Sequence, residues 1–325
     1  MVALLRAQIM KLVIQIPAWN EEEHLPDALA ALPREVEGFD EVEVLVVDDG
    51  SDDRTAEVAE EAGGTVVQMP VHRGLAVAFS TGLRGCLERG ADVIVNTDAD
   101  GQYNADDIPR LVHPILDGSA QMVIGDRQVA SLRHFSASKR LLQKLGSWVV
   151  RRLSGTTVAD ATSGYRAISR EAATRLHVFT RFTYTLETIL QAGEAGLKVA
   201  SVPVRVHPEA RRPSRLFRSN SGYVARSLAS IARIVTLYNP LRIFLLLGSI
   251  PVGLGIALLL RFLWFYFTGN SPAGHVQSLI LAVILIVIGA LVWLAGVIAD
   301  LIAVNRRLLE ELVERQRERG LGPRP

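Results

Sequence analysis

Asp98-Ala99-Asp100-Gly101-Gln102 follows the apolar run Val93 to Val95. Two carboxylates two residues apart, delivered into a loop by a strand, can hold a hard divalent cation while phosphate oxygens complete its shell. Gln102 supplies a further oxygen, although the spacing by itself also suits a solvated acidic turn. Asp48-Asp49-Gly50-Ser51, with Asp53 and Thr55 after it, ends another apolar run. Its carboxylates only accept, so they suit ribose hydroxyls or base N–H groups, or the cap of the next helix. In Pro17-Ala18-Trp19-Asn20-Glu21, Trp19 can stack on a base or sugar, and Asn20 suits a helix N-cap.

Such groups need a frame. Lys11–Pro17, Val42–Asp48, Thr65–Met69, Asp92–Asp98 and Gln121–Gly125 read as strands, and Glu21–Leu32, Asp53–Ala62, Leu75–Arg89 and Ala105–Leu116 read as helices. Strands alternating with helices predict an α/β domain with a mostly parallel sheet, whose ligands bind beyond the carboxyl ends of the strands. All three polar clusters fall there.

Taken in order with Asp160-Ala161-Thr162-Ser163-Gly164-Tyr165-Arg166, these motifs resemble the signature of family-2 glycosyltransferases of the GT-A fold. Within that family the dolichol-phosphate mannose synthase and polyprenyl-phosphate glycosyltransferase branch is the nearest match. The resemblance covers roughly residues 11 to 215. It implies a Rossmann-like catalytic domain over 1–215, with Pro17, Trp19 and Glu21 at the base and ribose and with Val47 and Asp49 at the base edge. Asp98, Asp100 and Gln102 are the implied ligands of Mg2+ or Mn2+ and of the diphosphate, with Ala99 contributing backbone. Arg127 and Arg140 resemble phosphate-contacting arginines. Ser214-Arg215, preceded by Arg211 and Arg212, stands where the family carries a Ser-Lys pair. Trp19 replaces the usual Tyr, which leaves the base open. The Gln-x-x-Arg-Trp segment of processive synthases is missing.

The implied reaction is inverting transfer of a monosaccharide from a nucleotide sugar of the GDP-mannose or UDP-glucose type to a polyprenyl or dolichyl phosphate. A phosphate monoester with a second pKa near ~6 is already mostly dianionic at neutral pH, so it needs no strong base. It needs alignment and neutralisation of two repelling phosphates, a task for arginines. Were the acceptor a hydroxyl of a lipid or glycan, Asp160 or Glu187 can orient the sugar or act as base; equally, Asp160 can fix the loop before Gly164 and Glu187 can be a helix-surface acid. A non-catalytic nucleotide-sugar-binding membrane protein is the third reading, set against the presence of Asp98, Asp100, Gln102 and Arg127 together.

The remaining composition fits a membrane enzyme. Ile243–Leu260 and Val276–Ala299 are free of charged residues, each near the roughly 20 residues that span ~30 Å of hydrocarbon. Pro251 and the small residues Gly248, Ser249, Gly253 and Gly255 are compatible with a kinked, closely packed membrane helix. Eight arginines against one acid lie between Arg205 and Arg242, Thr268–Gln277 has no Lys or Arg, and six arginines follow Asn305. That asymmetry predicts a multi-pass protein of the cell membrane with both ends cytoplasmic. Residues 216–240 are expected to form an arginine-bearing amphipathic helix at the lipid headgroups, 241–304 a two-helix hairpin, and 305–325 a cytoplasmic tail with a homo-oligomer contact as one reading. Met1–Met10 is too short for a signal peptide. A net charge of +1 argues against nucleic acid as partner, and the one cysteine, Cys86, excludes an intrachain disulfide or cysteine-based zinc site and fits a reducing compartment. His113, His134, His177 and His207 lack paired metal spacing.

Overall fold

Short runs of Val, Ile and Leu build one seven-stranded sheet, in a computed structural model that describes residues 9–128, 137–178, 184–207, 233, 236, 240–268 and 276–320. Its strands are β1 (Lys11–Ala18), β2 (Glu41–Asp48), β3 (Thr65–Gln68), β4 (Val93–Asn96), β5 (Met122–Asp126), β6 (Arg166–Ser169) and β7 (Val199–Pro203), in the order β3-β2-β1-β4-β6-β5-β7. β1, β2, β3 and β4 run parallel, β6 is antiparallel to both its neighbours, and β7 is parallel to β5. The five expected strands are all present; β6 and β7 are additions that short, mixed-polarity sequences did not advertise. β4 stops at Asn96 rather than Asp98. That releases 97–102 as a loop.

Around the sheet lie α1 (Leu25–Ala30), α2 (Thr55–Glu61), α3 (Leu75–Glu88), α4 (Ile108–Leu116), α5 (Ala137–Ser154), α6 (Arg170–Arg175) and α7 (Tyr184–Glu194). α1 is shorter than Glu21–Leu32 because it starts where Pro26, which needs no N–H partner, fits the first turn. Every β1 side chain from Leu12 to Ala18 is buried, as expected of a strand covered on both faces. Leu12, Ile14 and Ile16 share one core with Val44, Val46, Leu25, Leu29, Ile108 and Leu111. On the other face α3 comes so close that a Cβ on Gly82 would lie 2.6 Å from Gln15 Oε1 and 2.9 Å from Val47.

The chain divides into two compact units, Met1–Ser227 with Glu314–Pro325, and Leu228–Val313. The second holds α8 (Pro240–Phe267) and α9 (Val276–Gly320) as far as Val313. Both are long and apolar enough to cross a membrane, and Leu246 and Leu291 stand 71% and 59% exposed. Buried core helices would hide such residues. The pair packs through small residues: a Cβ on Gly248 would lie 2.8 Å from the Gly289 carbonyl, and one on Gly289 2.6 Å from the Gly248 carbonyl. Trp293 Nε1 donates to the Leu245 carbonyl at 3.0 Å. Of the expected headgroup helix over 216–240, all but residues 233, 236 and 240 lies outside the described residues. The arginine-rich tail continues α9 as far as Gly320 without a break.

Candidate active site

At the ends of β1 and β2 the chain locks two loops together. Asn20 N–H donates to Ser51 Oγ at 2.9 Å and Asp52 N–H donates back to Asn20 Oδ1 at 2.9 Å. Asn20 is therefore not a helix cap; its backbone is left-handed, with φ +53°, and its amide serves the neighbouring loop. Glu21 N–H donates to Thr55 Oγ1 at 2.9 Å, and Asp53 accepts from Glu22 N–H and from the N–H and hydroxyl of Thr55. Gly50, at φ +68°, crosses the segment after β3 where a Cβ would meet the Val71 carbonyl carbon at 2.5 Å and His72 N at 2.6 Å. Only glycine fits both the dihedral and the space.

The crossing sets up a cleft of about 590 Å³ lined by Trp19, Gly50, Ser51, Asp52, Met69 and His72 among others. Trp19 stacks on His72 with ring centroids 4.1 Å apart. His72 Nδ1 lies 3.0 Å from Asp49 Oδ2, and the Asp49 oxygens also accept from the N–H groups of Arg73 and Gly74, each at 2.8 Å. Asp49 thus holds the loop that carries His72. Pro17 and Val47 are paired residues inside the sheet, and the Val47 side chain is fully buried beside Met69 and Ala78. His72 is the residue that sequence reasoning missed. Its position beyond the end of the third strand was the available signal.

On the other side of β1, β4 delivers the acidic loop. Asp98 and Asp100 are half-buried, Ala99 between them is buried, and Gln102 N–H donates to Asp100 Oδ1 at 3.0 Å. Burial, and then the Asp100 carboxylate beside it, push the Asp98 carboxyl up to about 7, against the pull of Arg127 and Arg166. Two carboxylates that ionise together only at a cost are a fit for a divalent cation with hard oxygen ligands. Among the described residues no third acidic, His or Cys side chain joins them, so donor oxygens would have to complete the shell.

A buried network fixes this loop from beneath. Asn96 Oδ1 accepts from Gln15 Nε2 at 2.8 Å, while Asn96 Nδ2 donates to the Gly164 carbonyl at 2.8 Å and to Tyr184 Oη at 3.2 Å. Gly164 N–H in turn donates to Tyr103 Oη at 3.2 Å. A Cβ on Gly164 would stand 2.9 Å from Tyr184 Oη and 3.0 Å from Asp98 Oδ1. The segment 160–166 and the acidic loop are therefore packed as one piece.

Two cations lie behind it. Arg127 Nε and Nη2 donate to both Asp160 oxygens at 2.7 and 3.1 Å, and Nη2 also reaches Thr162 Oγ1 at 2.8 Å. Burial opposes this cation, but the Tyr103 oxygen and the Asp160 carboxylate beside it raise the Arg127 pKa above its ordinary value. Burial likewise tends to raise the Asp160 carboxyl, yet the Arg127 charge and hydrogen bonds hold it below the usual carboxylate range. A carboxylate so held is a weak base, which counts against Asp160 as a proton acceptor. Arg166 is wholly buried, its guanidinium donating to the carbonyls of Ser163 and Ala161 and to Thr188 Oγ1. Burial brings its pKa down to about 10, so it keeps its charge at neutral pH. Arg140 lies on α5 with its side chain outside the described residues, and Arg211 and Arg215 lie outside them altogether. Glu187 is buried in α7 rather than on a helix surface.

The sequence profile of Glycosyl transferase family 2 matches residues 13–176, about half of the chain. An undecaprenyl-phosphate mannosyltransferase of Micrococcus luteus is 28% identical over 69% of this chain and 93% of its own length. A polyprenol monophosphomannose synthase of Mycolicibacterium smegmatis is 30% identical over 64% of this chain and 82% of its own. Among solved structures, glucosyl-3-phosphoglycerate synthase of Mycobacterium tuberculosis, in complex with Mn2+, UDP-glucose and phosphoglyceric acid, is similar with a TM-score of 0.51 and 25% identity, over 68% of this chain and 79% of that one. The mostly parallel sheet is thus of the GT-A kind. The match runs from β1 past β6, through every strand-end group described above, and the chain belongs to glycosyl transferase family 2 as a glycosyltransferase.

Proposed function

We propose that this glycosyltransferase moves a monosaccharide, with inversion, from a nucleotide sugar to a polyprenyl phosphate at the cytoplasmic face of a membrane. The observation that carries the reading is the Asp98–Asp100 pair, held at a strand end by the Asn96 and Gly164 network in a chain with two helices apolar enough to span a bilayer. Both relatives described above are named for polyprenyl phosphates, and the similar crystal structure holds Mn2+ with a nucleotide sugar. The relatives named for mannose and the neighbour bound to UDP-glucose support either a GDP-mannose or a UDP-glucose type of donor.

In this reading the nucleoside occupies the Trp19–His72 cleft, and its diphosphate runs toward the acidic loop. Asp98 and Asp100, with Gln102, hold Mg2+ or Mn2+, which supplies charge compensation for the departing diphosphate. Arg127 and Arg166 add fixed positive charge in a poorly solvated place, where it acts more strongly than in water. Asp160 is committed to Arg127, so the acceptor must bring its own negative charge; a phosphate dianion does, and a hydroxyl does not. Arg140, Arg211 and Arg215 contact the acceptor phosphate. Residues 1–215 form the catalytic domain, 216–240 the headgroup helix, 241–304 the anchoring hairpin and 305–325 the tail.

The test is sugar incorporation by the full chain in liposomes containing undecaprenyl phosphate, with labelled nucleotide sugars offered one at a time, with and without Mn2+ or Mg2+. The expected product is a lipid-phosphate monosaccharide that requires the cation. Transfer to a diacylglycerol or glycan hydroxyl with none to the lipid phosphate overturns the acceptor; failure with every donor overturns the reaction.

A further inference from the structure

Helix α5 carries five basic residues, Lys139, Arg140, Lys144, Arg151 and Arg152, and no acid in its 18 residues. At 3.6 residues per turn, positions 144, 148, 151 and 152 fall on one face, with position 140 a turn before them. The inward side holds Ser147, Val150 and Ser154, all buried. On the outward side Trp148 is 57% exposed and Arg152 is exposed, whereas Arg151 at the edge of that face is half-buried and donates to the Val158 carbonyl at 3.4 Å. Burying an indole among cations suits few surroundings. A lipid headgroup layer is one, because Trp settles at the polar boundary of a bilayer and each basic side chain is drawn to anionic lipid.

We infer that the Trp148–Arg152 face of α5 is a docking surface for anionic membrane lipid, an electrostatic attachment of the catalytic unit additional to the apolar helices. Charge complementarity chooses this occupant: a wholly basic helix with a protruding Trp matches a negatively charged bilayer surface, and the same chain carries two helices apolar enough to enter one. The attachment is separate from the arginine-bearing 216–240 segment and does not depend on which acceptor is glycosylated. It weakens with salt, as attraction between exposed charges does.

Trp148→Cys, labelled with an environment-sensitive fluorophore in the full chain, reads this contact in phosphatidylcholine vesicles with and without phosphatidylglycerol. The single native thiol, Cys86, is buried and its pKa is pushed up by that burial, which keeps the label at position 148. The expected result is a blue shift and quenching by nitroxide lipids only where phosphatidylglycerol is present. The docked population should fall about fivefold for Arg152→Ala, the attraction of one cation to an anionic surface. Amide exchange of α5 in the unlabelled wild-type chain is the second measurement, with protection expected in the anionic vesicles alone. Equal emission and equal exchange in both vesicles overturn the inference, as does a shift that follows protein-to-lipid ratio instead of lipid charge, which marks a second copy on this face. No donor or acceptor enters the readout, so its failure is distinct from failure of the proposed reaction.

Discussion

The two halves of the sheet solve opposite electrostatic problems. Toward β3, parallel strand ends present carboxylates pinned by backbone N–H groups: Asp48 by Ser51, and Asp49 by Arg73 and Gly74. Toward β7, from the antiparallel β6 onward, two buried cations enter, Arg127 locked to Asp160 and Arg166 wrapped by carbonyls. Acceptors and an aromatic pair suit the uncharged end of a nucleotide; fixed cations suit phosphates. The acidic loop sits at the seam, on β4, where strand direction changes. In the first half neighbouring parallel strand ends bring the loops together, as Asn20 meets Ser51, whereas in the second the antiparallel β6 brings in the segment 160–166.

The largest effect should come from breaking a buried ion pair in the second half. Arg127→Ala leaves the Asp160 carboxylate buried and unpaired, at a cost of about 3–5 kcal/mol in denaturant unfolding. Arg127→Ala with Asp160→Ala should recover a good part of that loss; no recovery would mean that the two side chains act separately. At the seam, Asp100→Ala should lower turnover by roughly 10²–10³-fold, the scale of removing one preorganised electrostatic group. Its melting temperature should change little, since Asp100 is half-buried and its Oδ1 accepts from the N–H of Gln102, two residues on. Unchanged turnover with either metal would remove Asp100 from the site.

Gly164→Ala sharpens the comparison by inserting one methyl between the halves, 2.9 Å from Tyr184 Oη and 3.0 Å from Asp98 Oδ1. Overpacking of this kind costs about 1–3 kcal/mol. Turnover should fall alongside, because the methyl presses on the acidic loop itself. Adding Tyr184→Phe removes the hydroxyl from one contact and should restore stability more than activity, since the contact to Asp98 remains. Equal recovery of both would show that the acidic loop tolerates the displacement.

This division also marks what could be read from sequence. Lys11–Pro17, Val42–Asp48 and the polar residues that end them were legible because each signal is local: an apolar run, then acids and glycine where the strand must turn. The apolar length of α8 and α9 was equally plain. That the Val47 side chain enters the core was not legible, because β2 is covered on both faces, nor was the hold of Asp49 on Arg73 and Gly74, which lie beyond another strand. The pairing of Arg127 with Asp160 spans 33 residues, and Asn96 reaches Tyr184 across 88. No spacing rule brings such residues together; the antiparallel entry of β6 does.

The smallest expected effect concerns a pair at the outer edge of the second half. Asp107 is fully buried at the start of α4 and accepts from Arg205 N–H at 2.7 Å and from the Arg205 guanidinium at 2.9 and 3.1 Å. Burial tends to raise its carboxyl, but the hydrogen bonds and charge of Arg205 outweigh it and hold the pKa below its ordinary value. The unfolded chain therefore takes up this proton first as pH falls. The contribution is complete above the usual carboxylate pKa of about 4 and disappears as pH falls through the lower folded value. Arg205→Met should accordingly melt below wild type at pH 6 and approach it near pH 3. Because Arg205 itself is more than half exposed, the gap at pH 6 should be modest and shrink with added salt. A gap that widened in acid would assign the stabilisation to packing of the arginine stem instead of to the charge on Asp107.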